Sequence, residues 1–188
     1  MEGNILLWIQ NTLRSPFFNP PLIFITKLGD HALIWIAVLL LLLIFPKTRK
    51  SGFICLFSFL LALIVNNLVL KNCIMRIRPY EAVEGLKALV PHLKDSSFPS
   101  GHTAISFSVA FVMLLTCRKI MGIPAMILAS LIALSRMYVG VHYPSDVLAG
   151  LIVGCTTSVI SLWIVSLFLK RKNTKEVLQK DGESSDKV

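Results

Sequence analysis

The stretch SRMYVGVHYPSD, residues 135–146, joins two long apolar runs. The run before it reads MGIPAMILASLIAL, and the run after it reads VLAGLIVGCTTSVISLWIVSLFL. Arg136, His142 and Asp146 therefore stand at the junction of two segments that look like lipid-facing helices. An ionisable side chain this close to hydrocarbon costs several kcal/mol unless it has a partner or a function. The junction is thus a candidate functional site, and its chemistry is inferred below from the rest of the chain.

The composition is typical of a protein with several membrane spans. Of the 188 residues, 55% are hydrophobic and 15% are charged, which is unusual for a soluble globular domain. The net charge of +9 could suggest nucleic acid. The positive charge lies in short clusters between apolar runs, so we expect no nucleic-acid partner. The four cysteines are scattered without a Cys-x-x-Cys pair, which indicates neither a metal site nor a disulfide framework.

Apolar runs divide the chain into about five spans. They are predicted near residues 32–45, 52–70, 101–117, 121–138 and 144–169. We expect residues 1–18 to form an amphipathic helix in the membrane interface, and the proline-interrupted segment after it to be re-entrant or superficial. The predicted fold class is all-α, a polytopic transmembrane helix bundle. We expect residues 1–170 to form one membrane-embedded domain and residues 171–188 a basic, disordered tail.

Basic residues predict the orientation of this bundle. They gather after the first predicted span, after the third span and in the tail. The positive-inside rule places these segments in the cytoplasm. The amino terminus, residues 71–100 and the 135–146 junction then lie on the outer side. We therefore expect a multi-pass plasma-membrane protein with an extracytoplasmic active site and a cytoplasmic carboxyl terminus.

Two further polar clusters lie at the outer ends of spans. KNCIMRIRP, which begins at Lys71, also carries Arg78, and the two cations share a face if the helix continues for two turns. FPSGH carries Ser100, a good helix N-cap, and Gly101, which lets a ligand approach the backbone. The free N–H groups and dipole of the helix that follows favour an anion. Taken singly, these are also compatible with snorkelling cations and an ordinary cap.

The 135–146 junction adds groups suited to phosphate chemistry. A guanidinium such as Arg136 fits phosphate oxygens. Asp146, four residues after His142, can accept the Nδ1 proton and leave Nε2 as nucleophile or base; an interfacial ion pair is the simpler alternative. His102, just after FPSG, supplies a second imidazole. Three clusters at one membrane depth favour a common anion site in which one histidine is a nucleophile and the other an acid.

The sequence does not favour metal chemistry. It contains no cluster of carboxylates suited to Mg²⁺ or Ca²⁺ and no His/Cys spacing suited to zinc. We therefore expect phosphoryl transfer without a metal ion or other cofactor.

The three motifs resemble those of the type 2 phosphatidic acid phosphatase family, membrane-embedded lipid phosphatases that share a core with vanadium haloperoxidases. The family signatures are Lys-x6-Arg-Pro, Pro-Ser-Gly-His and Ser-Arg-x5-His-x3-Asp. All three occur here in full and in order between Lys71 and Asp146. The resemblance covers roughly residues 25–170. It departs in one respect, because many members have six spans whereas this chain has about five plus the interfacial helix.

The resemblance implies a role for each matching residue. His142 is the nucleophile that forms a phosphohistidine, Asp146 orients it, and His102 protonates the leaving oxygen and then assists hydrolysis. The residues that would hold the phosphate are Lys71, Arg78, Ser100, Gly101 and Arg136.

A site at the membrane surface implies a lipid phosphate with its tail in the bilayer. We favour undecaprenyl diphosphate, with phosphatidylglycerophosphate and phosphatidate as alternatives. A lipid or anion transporter that only binds phosphate is the alternative from a different class, and a vanadate-dependent haloperoxidase is disfavoured because that activity belongs to soluble relatives. We also expect a short amphipathic helix over residues 80–94, either as a lid or as a surface packing element. The sequence leaves the oligomeric state open.

Overall fold

The computed structural model describes the backbone of residues 1–185 and the side chains of residues 1–168. Regular secondary structure in that part of the chain is entirely helical. The helices are α1 (Glu2–Trp8), α2 (Asn19–Leu28), α3 (Leu33–Ile44), α4 (Arg49–Leu63), α5 (Lys71–Cys73), α6 (Pro79–Ala82), α7 (Gly101–Thr116), α8 (Lys119–Tyr138) and α9 (Pro144–Ser185). A π-helical stretch, Ile64–Leu70, joins α4 to α5, another, Ile9–Leu13, extends α1, and a 3₁₀ turn, Asp30–Ala32, precedes α3. The predicted all-α class is confirmed.

Three helical segments are long and apolar enough to cross a bilayer, namely Arg49–Cys73, Lys119–Tyr138 and Pro144–Phe168. α2 and the segment Asp30–Ile44 could form a fourth, although they are bent by 53°. Large apolar side chains such as Ile152 are exposed on these helices, as expected of residues that face lipid. The chain is a multi-pass membrane protein, and the count of five spans stays a prediction.

α7 lies at the centre of the bundle. It packs against α4, α8 and α9, and its buried residues include Phe107, Val109, Val112 and Met113. A helix covered by neighbours on several sides can be apolar nearly all round. The first turn of this central helix is therefore held firmly at the predicted outer end of the bundle.

The bend before α3 directs a polar residue towards that first turn. Pro20 and Pro21 lie at the beginning of α2, where a missing backbone N–H is tolerated. His31 and Ala32 have φ of 52° and 57°, so the backbone turns sharply. Asp30, at this turn, reaches the side chain of His102 on α7.

Two glycines allow α9 to lie close to α7. A Cβ on Gly150 would be 2.6 Å from the carbonyl oxygen of Ser100, and a Cβ on Gly154 would be 2.5 Å from that of Ala104. Glycines spaced four apart are a common device for close helix packing in membranes. The contact places the first turns of α7 and α9 side by side, and the Ser100 N–H donates to the carbonyl oxygen of Asp146 at 3.0 Å.

The expected helix over residues 80–94 is wrong. α6 ends at Ala82, and Gly85 has φ of 80°, which a continuous right-handed helix does not accommodate. Leu86 instead packs into a small core with Leu6 of α1 and Val141 of the loop before α9. This core fixes α1 to the bundle, whereas its place in the membrane interface stays a prediction.

The carboxyl-terminal helix is longer than expected. α9 continues to Ser185, although we placed the end of the last span near residue 169. Its apolar part ends at Phe168. The division into residues 1–170 and a separate tail stays a prediction.

Gly154→Ala should lower the thermal unfolding midpoint of the purified protein in detergent, because the added methyl would collide with the backbone of α7. Overpacking of this kind costs about 1–3 kcal/mol. Val159→Ile is the matched control, since it adds a methyl at an exposed position of the same helix. Equal midpoints for Gly154→Ala and the unchanged protein would contradict the close contact between α7 and α9.

Candidate active site

Lys71 and Arg78 are brought together by an extended segment and not by a continuous helix. α5 ends at Cys73, and Ile74 has φ of −122° and ψ of 86°. The expected face shared over two helical turns is therefore wrong. Both cations nevertheless reach one carboxylate, because Lys71 Nζ contacts Asp95 Oδ2 and Arg78 Nη2 lies 2.6 Å from Asp95 Oδ1.

One cavity of about 560 Å³ gathers most of the predicted site residues. Its lining includes Lys71, Arg78, Gly101, His102, Arg136 and His142. The other two, Ser100 and Asp146, are fully buried next to these residues. Ile36, Phe59 and Ile105 form apolar parts of the lining. The cavity therefore joins a cationic wall to an apolar one.

The helix that begins with PSGH has the predicted cap. Ser100 Oγ accepts from the Thr103 hydroxyl at 3.0 Å and from the Thr103 N–H at 3.5 Å. A Cβ on Gly101 would lie 3.4 Å from Asn67 Oδ1 and 3.9 Å from Lys71 Nζ. Glycine thus keeps the space between this helix end and the lysine open to an anion.

His142 is held by a backbone carbonyl as well as by its carboxylate neighbour. Its Nδ1 lies 2.8 Å from the carbonyl oxygen of Ser97 and 3.6 Å from Asp146 Oδ2. A carbonyl oxygen can only accept, so Nδ1 carries the proton and Nε2 keeps its lone pair. We expected Asp146 to accept that proton, whereas its Oδ2 accepts from the Tyr143 N–H at 2.8 Å and from the Ser97 hydroxyl.

The protonation state of His142 suits a nucleophile. Burial, reinforced by the positive charges of Arg136 and Arg78, holds the pKa of His142 well below its usual range. The imidazole is therefore neutral at physiological pH. The nearby Asp146 carboxylate favours the cationic form, so it would stabilise positive charge that develops on the ring.

His102 has a partner that the sequence analysis missed. Its Nε2 lies 2.9 Å from Asp30 Oδ1. The pairing leaves Nδ1 as the ring nitrogen without that contact. The signal was a charged residue in KLGDH beside an apolar run, the same kind of anomaly that singled out the 135–146 junction.

Arg136 is buried with an open donor. Its Nη1 donates to the hydroxyl of Thr26 at 2.6 Å, and its side chain is only 2% exposed. Its Nε has no hydrogen-bond partner among the described residues. A buried guanidinium needs such partners, so this Nε is a donor available to an acceptor in the cavity.

Arg76 is the second residue that the sequence analysis missed. Its guanidinium lies 2.6 Å from Asp146 Oδ1 and 2.6 Å from Glu2 Oε2, and 3.9 Å above the ring of Tyr143. Because Asp146 is fully buried, this arginine supplies the positive charge that a buried carboxylate requires. Arg76 is thus a positioning residue for the Asp146–His142 pair.

Asp95 is the third missed residue, and it lies on the phosphate side of the cavity. Partial burial acts to raise its pKa, but Lys71 and Arg78 lower the pKa of Asp95 to about 2. The carboxylate is therefore charged at physiological pH. In the sequence it belongs to an ordinary polar stretch, LKDSS, which carries no signal for such a role.

Where the structure describes the chain, no group of three or more His, Cys, Asp or Glu side chains could hold a metal ion. The metal-free chemistry stays a prediction.

A helix bundle that holds His102 and His142 in a cation-lined cavity fits a membrane-embedded phosphoryl-transfer enzyme. Comparison with known families identifies the family within this class. Residues 51–170 match the model of the PAP2 superfamily, and the chain belongs to that superfamily. The predicted family and the predicted phosphatase class are both confirmed.

Several relatives are similar over most of the chain. An undecaprenyl-diphosphatase of Sulfolobus acidocaldarius is 40% identical over 79% of this chain and 71% of its own length. The undecaprenyl-diphosphatase BcrC of Bacillus subtilis is 36% identical over 70% of this chain and 67% of its own. The crystal structure of Aquifex aeolicus LpxE is similar in fold, with a TM-score of 0.75 and 29% identity over 85% of this chain and 93% of that one.

Arg76→Gln should lower kcat for lipid phosphate hydrolysis by roughly tenfold to a hundredfold and leave KM nearly unchanged. A hydrogen bond to a charged group contributes about 1.5–3 kcal/mol, and Arg76 acts on Asp146, away from the substrate. Arg118→Gln, the same change at an exposed arginine, is the control. A higher KM at constant kcat would instead mean that Arg76 binds the phosphate directly.

Proposed function

We propose that the protein hydrolyses undecaprenyl diphosphate to the monophosphate and inorganic phosphate through a phosphohistidine. The observation that carries the proposal is that one cavity brings His102 and His142 together with the three cations Lys71, Arg78 and Arg136. The similarity to the undecaprenyl-diphosphatases of Sulfolobus acidocaldarius and Bacillus subtilis supports the choice of substrate. The apolar wall of the cavity supports a lipid as the phosphate donor.

In the first step, the terminal phosphate binds between the cations and the amino-terminal turn of α7. The Nε2 lone pair of His142 attacks phosphorus, a P–N bond forms, and the bond to the bridging oxygen breaks. His102 enters this step as an imidazolium whose Nε2–H is held by Asp30, and it donates its Nδ1 proton to the departing lipid monophosphate. Lys71, Arg78 and Arg136 stabilise the charge on the equatorial oxygens.

In the second step, water attacks the phosphohistidine. His102, now neutral, takes a proton from that water, the P–N bond breaks, and inorganic phosphate is released. Asp146 compensates the positive charge of the phosphorylated ring, and the Ser97 carbonyl keeps the ring in place. The chain supplies every group that these two steps require.

Phosphatidylglycerophosphate and phosphatidate remain the alternative substrates, because the same pocket would hold their phosphate. A transporter is the alternative of another class. It would need the cations but neither the nucleophile nor its supporting carboxylate, so removal of His142 separates it from a phosphatase.

We place the active site on the extracytoplasmic side and the carboxyl terminus in the cytoplasm, on the basis of the basic loops. Two cysteines can test this orientation, because Cys73 is exposed near Lys71 whereas Cys117 lies in the loop between α7 and α8. In single-cysteine variants, a membrane-impermeant maleimide should label Cys73 in intact cells and Cys117 only after permeabilisation. The opposite pattern would overturn the orientation.

The purified protein in detergent with EDTA should release phosphate from undecaprenyl diphosphate faster than from phosphatidylglycerophosphate or phosphatidate. Because His142 is the proposed nucleophile, His142→Ala should lower the rate by more than about a thousandfold. Preference for a glycerophospholipid would refute the substrate choice. Loss of activity with the chelator would refute the metal-free mechanism, and an undiminished rate of phosphate release by His142→Ala would refute the phosphohistidine.

A further inference from the structure

Asp95 occupies the pair of cations that would hold the substrate phosphate. The side chains of Lys71 and Arg78 are 14% and 3% exposed, whereas that of Asp95 is 52% exposed. The carboxylate therefore caps two largely buried cations from the more exposed side. An incoming phosphate needs the same donors, Lys71 Nζ and Arg78 Nη2, so phosphate and carboxylate cannot both have them in full.

We propose that Asp95 is an internal competitor for the phosphate. Its carboxylate neutralises the two cations in the empty site, leaves them when a phosphate enters, and returns as the phosphate product departs. The inference rests on the proposed function, since it concerns the same pocket. It adds a residue that sets the affinity for substrate and product without taking part in the chemical steps.

Arg78 can keep its place when the carboxylate leaves. Its Nη1 donates to the carbonyl oxygen of Val141 at 2.9 Å, and its Nε donates to the backbone carbonyl oxygen of Asp95 at 3.0 Å. Neither bond involves the Asp95 side chain. The guanidinium is thus preorganised by the backbone, and Nη2 is exchanged between carboxylate and phosphate.

The carboxylate also has somewhere to go. Asp95 lines both the catalytic cavity and a neighbouring cavity of about 650 Å³. Lys94 and Asn72 line this second cavity and can receive a displaced carboxylate. Rotation of the Asp95 side chain between staggered rotamers moves its charge from one cavity towards the other without a change in the fold.

The competing explanation is that Asp95 only orients the cations. The two ideas predict opposite effects of removing the charge. An orienting carboxylate makes the phosphate site better, so its loss weakens anion binding. A competing carboxylate occupies the cations for part of the time, so only a fraction of the molecules can bind an anion. Its loss makes every molecule competent and strengthens anion binding by the inverse of that fraction.

Calorimetric titration of the full chain in detergent with orthovanadate separates these ideas. Asp95→Asn should lower the dissociation constant of vanadate about tenfold, which corresponds to a carboxylate that blocks the site about nine-tenths of the time. The inhibition constant of inorganic phosphate in the hydrolysis assay should fall by a similar factor. Glu84→Gln is the matched control, because Glu84 is an exposed carboxylate in the segment that precedes Asp95, and it should leave both constants unchanged.

Unchanged or weaker vanadate binding by Asp95→Asn would overturn the proposal, and so would the absence of binding by both proteins. Asp95→Ser, which also removes the charge, is measured in parallel and takes the place of Asp95→Asn if the amide variant fails to fold. Hydrolysis of undecaprenyl diphosphate by the unchanged protein is measured separately. If it proceeds while vanadate affinity does not respond to Asp95, the competitor idea fails and the proposed function stands.

Discussion

Two guanidinium groups buried within a membrane helix bundle impose the constraint around which the active site is built. Arg78 and Arg136 are 3% and 2% exposed, and charges with so little exposed surface are tolerated only with partners in good geometry. Arg78 donates to backbone carbonyl oxygens and to a carboxylate. Arg136 donates to the hydroxyl of Thr26, and its Nε has no hydrogen-bond partner among the described residues. The Nε of Arg136 can therefore still donate a hydrogen bond to an anion. In the proposed function, a phosphate oxygen would be the acceptor for this Nε.

The geometry of the helices delivers these groups to one place. The close approach of α9 to α7 at Gly150 and Gly154 puts the capping Ser100 beside Asp146. Ser97 then ties the loop before α7 to both other motifs. Its N–H donates to the carbonyl oxygen of Arg76 at 3.0 Å, its carbonyl accepts from His142, and its hydroxyl contacts Asp146. A single serine thus couples the cation-bearing segment to His142 and Asp146.

The sequence predicted the residues whose chemistry is unusual for their surroundings, and it missed those whose role depends on a partner. His142, Asp146 and Arg136 stand out because ionisable groups border apolar runs, and the serine of PSGH stands out because serine is a preferred helix N-cap. Asp95 and Ser97 lie in a polar loop where their types are ordinary, so only the folded chain shows what they contact. The prediction of a helix over residues 80–94 was wrong for a similar reason. The tertiary packing of Leu86 and the positive φ of Gly85 outweighed the amphipathic pattern of the sequence.

The segment IMRIRP shows what a two-residue alternation of side chains, typical of an extended chain, would have added to the sequence prediction. In an extended chain, alternate side chains point to opposite faces. Met75 and Ile77 are 84% and 62% exposed, whereas Arg78 is 3% exposed and Arg76 turns inward to Asp146. The arginines face the rest of the protein and the apolar residues face away from it. This is the reverse of a strand in a soluble protein and suits a chain that borders lipid. The alternation over residues 75–78 favours an extended segment before Arg78 over a continuous helix from Lys71 to Arg78. It also assigns Arg76 to the same inner face as the motif arginine.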